Sequence, residues 1–292
     1  CNGKIKKINC PLELDTNYLK LTVYNFLLLL HNNLRNKLIW NKKRKAGNTL
    51  IKVQSLTKIF KKISAVDNIS FEVNNGEIVG LLGENGAGKT TTLRMLATML
   101  KPTSGTALIN NYDVNKYPEK VRGEIGILFG GEVGLYDRLT GRENIRYFAE
   151  LNGMSKEETE KSIKYLAKNL EMEDYLDRRV GKFSRGMKQK ISIARSIVHN
   201  PSVVLFDEPT SGLDVSSSRI VHDFIKKCKI DNKAVILSSH SMAEVEKLCD
   251  RIIIIHKGKI IETGTIENLK SKYNNDDMEE IFMQLVGDVI EN

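Results

Sequence analysis

Apolar and polar positions alternate from residue 50 onward. "LIKVQSLTKIF" (residues 50–60) and "VDNISFEV" (residues 66–73) carry the period of strands with one buried face. "EIVGLL" (residues 77–82) is a short apolar run that ends in glycine. "TTTLRMLATML" (residues 90–100) switches to helical spacing, and "KPTSG" (residues 101–105) is expected to stop it, because proline does not continue a helix. The middle, roughly residues 140–200, reads as helices. There Ser155 and Glu158 form a capping box ahead of an apolar stripe of Ile163, Leu166, Ala167 and Leu170. Three apolar runs follow: "SVVLF" (202–206), "AVILS" (234–238) and "RIIIIH" (251–256). The first two have the unbroken hydrophobicity of parallel strands buried on both faces.

Residues 1–48 do not share this pattern. "VYNFLLLL" (residues 23–30) is far shorter than the roughly 20 apolar residues that span a bilayer, and no small-residue cleavage site follows it. The first methionine of the chain is Met95. The expectation is an atypical basic segment, disordered or artefactual, before a folded domain over residues 49–292 with a helical subdomain at about 130–200. A membrane-surface anchor is the functional alternative for the segment.

Composition alters the picture once. The net charge is +9, which first points to nucleic acid or an anionic membrane surface. Residues 1–50 hold ten Lys and Arg against two acidic residues, so the body of the chain is nearly neutral and lacks the basic groove of a nucleic-acid binder. The four cysteines, Cys1, Cys10, Cys228 and Cys249, have no metal-site spacing and read as free thiols.

The chemistry begins at "GENGAGKTTT". Gly83, Gly88, Lys89 and Thr90 fit GxxxxGK followed by Ser or Thr, between a strand and a helix. Glycines let backbone N–H groups converge on phosphate oxygens, and the helix start adds its positive end. Gly83, Glu84, Asn85, Gly86, Ala87, Gly88, Lys89, Thr90 and Thr91 are therefore the expected nucleotide cradle. Lys89 would reach the β- and γ-phosphates, and Thr90 would bind Mg²⁺. "VVLFDEP" adds a buried strand ending in two carboxylates: Asp207 for Mg²⁺ and Glu208 to orient or deprotonate the attacking water. His240, in "SSHS" after the next apolar run, is expected beside the γ-phosphate.

"FSRGMKQKISIARSIVHNPSVVLFDEPTSGLD" resembles the signature helix, Walker B strand and D-loop of ABC ATPases. The resemblance spans about 240 residues from Leu50 onward. It implies an α/β P-loop NTPase fold with a parallel core sheet, an antiparallel β-subdomain and an α-helical subdomain. It also implies ATP and Mg²⁺ as ligands and a second copy as partner: Ser184 and Gly186 of one chain would close over ATP held by the other. Phe60 falls where the family stacks an aromatic ring on adenine; a core phenylalanine is the alternative. Arg185 and Met187 replace a signature glycine and glutamine. Gly130 stands where the family's Q-loop glutamine is expected, with Glu132 nearby as the candidate substitute.

"GLYDRLTGRENI" and "DMEEIFMQLV" look like the sodium-extrusion (NatA-type) branch, whose relatives include drug and antibiotic exporters. That resemblance implies an ATP-hydrolysing exporter subunit on the cytoplasmic face of the membrane, driving a separate permease that selects the cargo. A non-transport ABC ATPase is disfavoured by the single cassette and the missing coiled-coil insertion. A non-hydrolysing regulator is disfavoured by intact Lys89, Asp207, Glu208 and His240.

Overall fold

Two sheets organise the computed structural model, which describes residues 49–130 and 134–291. The first is antiparallel. β1 (Thr49–Phe60) pairs with β2 (Ile63–Asn74) on one side and with β4 (Ser104–Ile109) on the other, and β5 (Tyr112–Asp113) closes the order β2-β1-β4-β5. The alternation along β1 and β2 buries Ile51, Val53, Leu56, Val66, Ile69 and Val73.

The second sheet has the order β10-β9-β3-β8-β7-β6. Its strands are β3 (Ile78–Leu82), β6 (Ile125–Leu128), β7 (Val203–Asp207), β8 (Ala234–Ser239), β9 (Arg251–His256) and β10 (Lys259–Gly264). All neighbours are parallel except β10, which returns antiparallel to β9. Both faces are covered. Val203 and Leu205 of β7 join a core with Val79, Leu81 and the antiparallel sheet. Val204 and Phe206 join a second core with the helices on the other face.

Nine helices are seen among the described residues: α1 (Lys89–Leu96), α2 (Pro118–Glu124), α3 (Gly141–Leu151), α4 (Lys156–Asn169), α5 (Arg185–Ile197), α6 (Val215–Ile230), α7 (Met242–Leu248), α8 (Ile266–Tyr273) and α9 (Met278–Glu291). The Ser155–Glu158 capping box is present at α4, and Thr140 with Glu143 forms a second one at α3. Ile163, Leu166, Ala167 and Leu170 are all buried in the helical core.

Helix α1 ends earlier than the proline predicts. Thr98 takes a left-handed φ of 61°. Its N–H donates to Met95 O at 3.1 Å, and the N–H of Met99 donates to Arg94 O at 2.9 Å. That is a Schellman end, which closes the last carbonyls two residues past the helix. Pro102 comes after the helix has already stopped.

Cys228 is buried in the helical core, and burial pushes its thiol up to about 12. Burial raises the Cys249 thiol as well. The basic N-terminal segment, Cys1, Cys10 and Glu132 lie outside the described residues.

Candidate active site

The site forms where three adjacent parallel strands end. Strands β3, β8 and β7 are neighbours in the sheet and run the same way, so their C-terminal tips share one edge. Open α/β sheets bind ligands along that edge. β3 releases the phosphate loop, β7 delivers Asp207 and Glu208, and β8 delivers His240.

The loop Gly83–Gly88 joins β3 to α1. Glu84, Asn85 and Gly86 are exposed, while Gly83, Ala87, Gly88 and Lys89 are buried. Gly88 is the N-cap of α1 with φ 110° and ψ 0°, backbone that an L side chain rarely adopts. A Cβ there would lie 2.5 Å from Ala65 O. Strain of about 1–3 kcal/mol is the usual cost of such a conformation. Gly88→Ala is therefore expected to lower the thermal midpoint by roughly several degrees and to weaken ATP binding. Calorimetry with and without nucleotide checks both effects.

Lys89 opens the helix and is 5% exposed. Its ammonium donates to Gly83 O at 2.6 Å and to Glu84 O at 3.1 Å. Burial holds its pKa below that of an ordinary lysine, and the carboxylates of Glu208 and Asp207 offset only part of that drop. Thr90 is the next residue, and its hydroxyl donates to Asp207 Oδ2 at 2.8 Å. Ser238, which pairs with Asp207 in the parallel register, donates its hydroxyl to Oδ1. Asp207 is thus a buried carboxylate held by two hydroxyls.

This donor set fits Mg²⁺ bound with a nucleotide. Among the described residues no three His, Cys, Asp or Glu side chains form a metal cage. A nucleotide-bound magnesium needs only one or two protein oxygens, its other ligands being phosphate and water. Thr90 Oγ1 and Asp207 Oδ2, 2.8 Å apart at the foot of the phosphate loop, are the oxygens that would face such an ion.

Glu208 turns away from the strand with φ 48°. Its Oε1 lies 3.1 Å from His240 Nδ1. Glu208 is half-buried and His240 exposed, so the pair stands at the mouth of the site.

A model of the ABC transporter family matches residues 66–211, half of the 292 residues. The chain belongs to that family. It is similar to the ABC transporter ATP-binding protein NatA of Bacillus subtilis (strain 168), at 48% identity over 223 residues, covering 76% of this chain and 91% of that protein. Among solved structures it is similar to an ATP-binding subunit of an ABC transporter, with a TM-score of 0.75, 30% identity and coverage of 81% and 99% of the two chains. It is also similar to the ATP-binding cassette MJ0796, solved as a dimer in a post-hydrolysis state bound to ADP and Pi. That match has a TM-score of 0.66, 27% identity and coverage of 74% and 98%.

The remaining ABC residues occupy separate positions. Phe60 is exposed at the end of β1, with Lys58 Nζ 5.1 Å from its ring centroid, so it is not a core phenylalanine. Thr91 is half-buried in the first turn of α1. Ser184 caps α5, its hydroxyl accepting from Met187 N–H at 3.2 Å. Gly186 is buried against Ser217 of α6. Gly130, at the Q-loop position, lies with its backbone against Asp207 and Glu208.

Contacts that the sequence does not announce bind the signature to the D-loop. The Arg185 guanidinium, standing in place of a signature glycine, donates to Ser211 O at 2.9 Å and covers Gly212. Gln189 Nε2 donates to Pro209 O at 2.6 Å. The departure at Arg185 therefore ties the signature turn to the segment after Glu208. Ser238 as the partner of Asp207 is likewise a product of strand register, with no local motif to reveal it.

Proposed function

We propose that this chain is the ATP-hydrolysing subunit of an exporter, working as a pair of copies on the cytoplasmic face of a separate integral-membrane permease, with Na⁺ as cargo. The observation that carries it is the double link at one sheet edge: Thr90 to Asp207 and Glu208 to His240. The sequence resemblance to sodium-extrusion subunits supports the cargo, and the dimeric neighbour supports the pairing. No helix among the described residues is long and apolar enough to cross a membrane, which fits a separate permease.

The loop N–H groups and the Lys89 ammonium bind the β- and γ-phosphates. Thr90 and Asp207 would hold Mg²⁺, which when bound supplies charge neutralisation at the phosphoryl group. Glu208 orients the attacking water and takes its proton. With Nδ1–H donated to Glu208, His240 can stabilise a phosphoryl oxygen through Nε2 only as the imidazolium, with an N–H on both ring nitrogens. Phe60 stacks on adenine, which adds about 1 kcal/mol. Ser184 and Gly186 close over the nucleotide of the second copy.

The test is reconstitution with the permease that co-purifies with this chain. Na⁺ is expected to stimulate ATP turnover in vesicles and to be carried outward. Stimulation by cationic drugs alone would replace the cargo and leave the motor in place. Turnover indifferent to both the permease and every cargo would remove the transport reading.

A further inference from the structure

Glu244 is a buried carboxylate that the hydrolytic scheme above does not use. It lies in the first turn of α7 and is 8% exposed. Oε1 accepts from Thr210 Oγ1 at 2.6 Å and stands 3.0 Å from His222 Nε2. Oε2 accepts from Ser239 Oγ at 2.7 Å. A buried charge is tolerated when its lone pairs are satisfied, and here three side chains from three elements satisfy it. Burial alone would raise the Glu244 pKa, but the bonds from His222, Thr210 and Ser239 outweigh it and hold the carboxyl below the usual range. The group is an anion, so His222 meets it with an Nε2–H donor.

The location of those donors gives the cluster its meaning. Thr210 lies two residues after Glu208, and Ser239 immediately precedes His240. One carboxylate therefore grips both segments that carry the pair at the mouth of the site. Glu208 needs such support, because its left-handed backbone is unfavourable for a side-chain-bearing residue unless its surroundings hold it. Its backbone is otherwise fixed by Glu208 N–H to Ser238 O at 3.1 Å and Ser211 N–H to Glu208 O at 3.2 Å. Neither bond connects the turn to the His240 side chain. The Ser239 hydroxyl also accepts from Ser241 N–H at 3.0 Å, which sets the backbone on the far side of His240.

We propose that Glu244 is a positioning residue for ATP hydrolysis: by bridging Thr210 and Ser239 it keeps Glu208 and His240 at their 3.1 Å separation. This rests on the ATPase reading above, and it adds a residue outside the phosphate loop, the Asp207–Glu208 pair, the signature turn and His240. It acts through geometry, so its loss should affect turnover and leave ATP binding alone.

The experiment is a double-mutant comparison on the full chain with Mg²⁺ and ATP. Glu244→Gln and the near-isosteric Thr210→Val are each made in the native and His240→Ala backgrounds. Thr210→Val removes one donor without burying a new charge, so it reports even if Glu244→Gln folds poorly. The expected result in the native background is a roughly ten- to hundredfold fall in kcat, with ATP affinity changed less than about twofold. In the His240→Ala background the same substitutions should have little further effect, because the geometry they protect is already lost. Equal fold-losses in both backgrounds, or an unchanged kcat for Thr210→Val, would overturn the positioning role. A His240→Ala chain turning over at the native rate would instead overturn the Glu208–His240 pair, and this proposal with it.

Discussion

Glu208→Gln is expected to lower ATP turnover by about 100- to 10,000-fold, the usual range for losing a general base. Glutamine keeps the shape and the contact with His240 Nδ1, which lies 3.1 Å from Oε1 in the native chain. It does not accept a proton from water. Thr90, Asp207 and Lys89 are untouched, so ATP affinity should stay within a few-fold of native. ATP that is bound and not consumed should hold two copies together, visible as a doubling of mass in light scattering. A variant that releases phosphate at the native rate contradicts the role given to Glu208.

Lys89→Ala is expected to act on the other arm, reducing ATP affinity by about 10- to 100-fold, as a charge-assisted hydrogen bond of roughly 1.5–3 kcal/mol implies. Turnover should fall to background at any practical ATP concentration. Lys89 is almost fully buried and faces the negative charges of Asp207 and Glu208. Alanine therefore removes the cation that offsets both carboxylates as well as the donor to phosphate. It also leaves Gly83 O and Glu84 O without that donor. Titration calorimetry with ATP under non-hydrolysing conditions measures the loss, and native affinity would refute it.

What was legible in the residue pattern was what is local. β3, β7 and β8 announce themselves as apolar runs, and the phosphate loop by glycine spacing. Ser155 and Glu158 lie three apart and state their own geometry. Pro102 marks the end of α1 too late, because a left-handed threonine has no sequence marker comparable to glycine. Glu244, Thr210 and His222 were invisible for a different reason. They are separated by 34 and 22 positions along the chain and meet only because α6 and α7 close around the tips of β7 and β8. In the sequence Arg185 is only a departure from a consensus. Its bond to Ser211, 26 residues away, depends on the same folding of the segment after Glu208.

Asp207 finishes a strand, and Glu208 opens a left-handed corner. Two adjacent carboxylates therefore hang from unlike supports, one clamped in a rigid ladder and the other cantilevered on a bend. Disturbing the bend leaves the ladder standing. Retention of the nucleotide and the pace at which it is spent can thus drift apart under mutation, even though a single peptide bond joins the residues responsible.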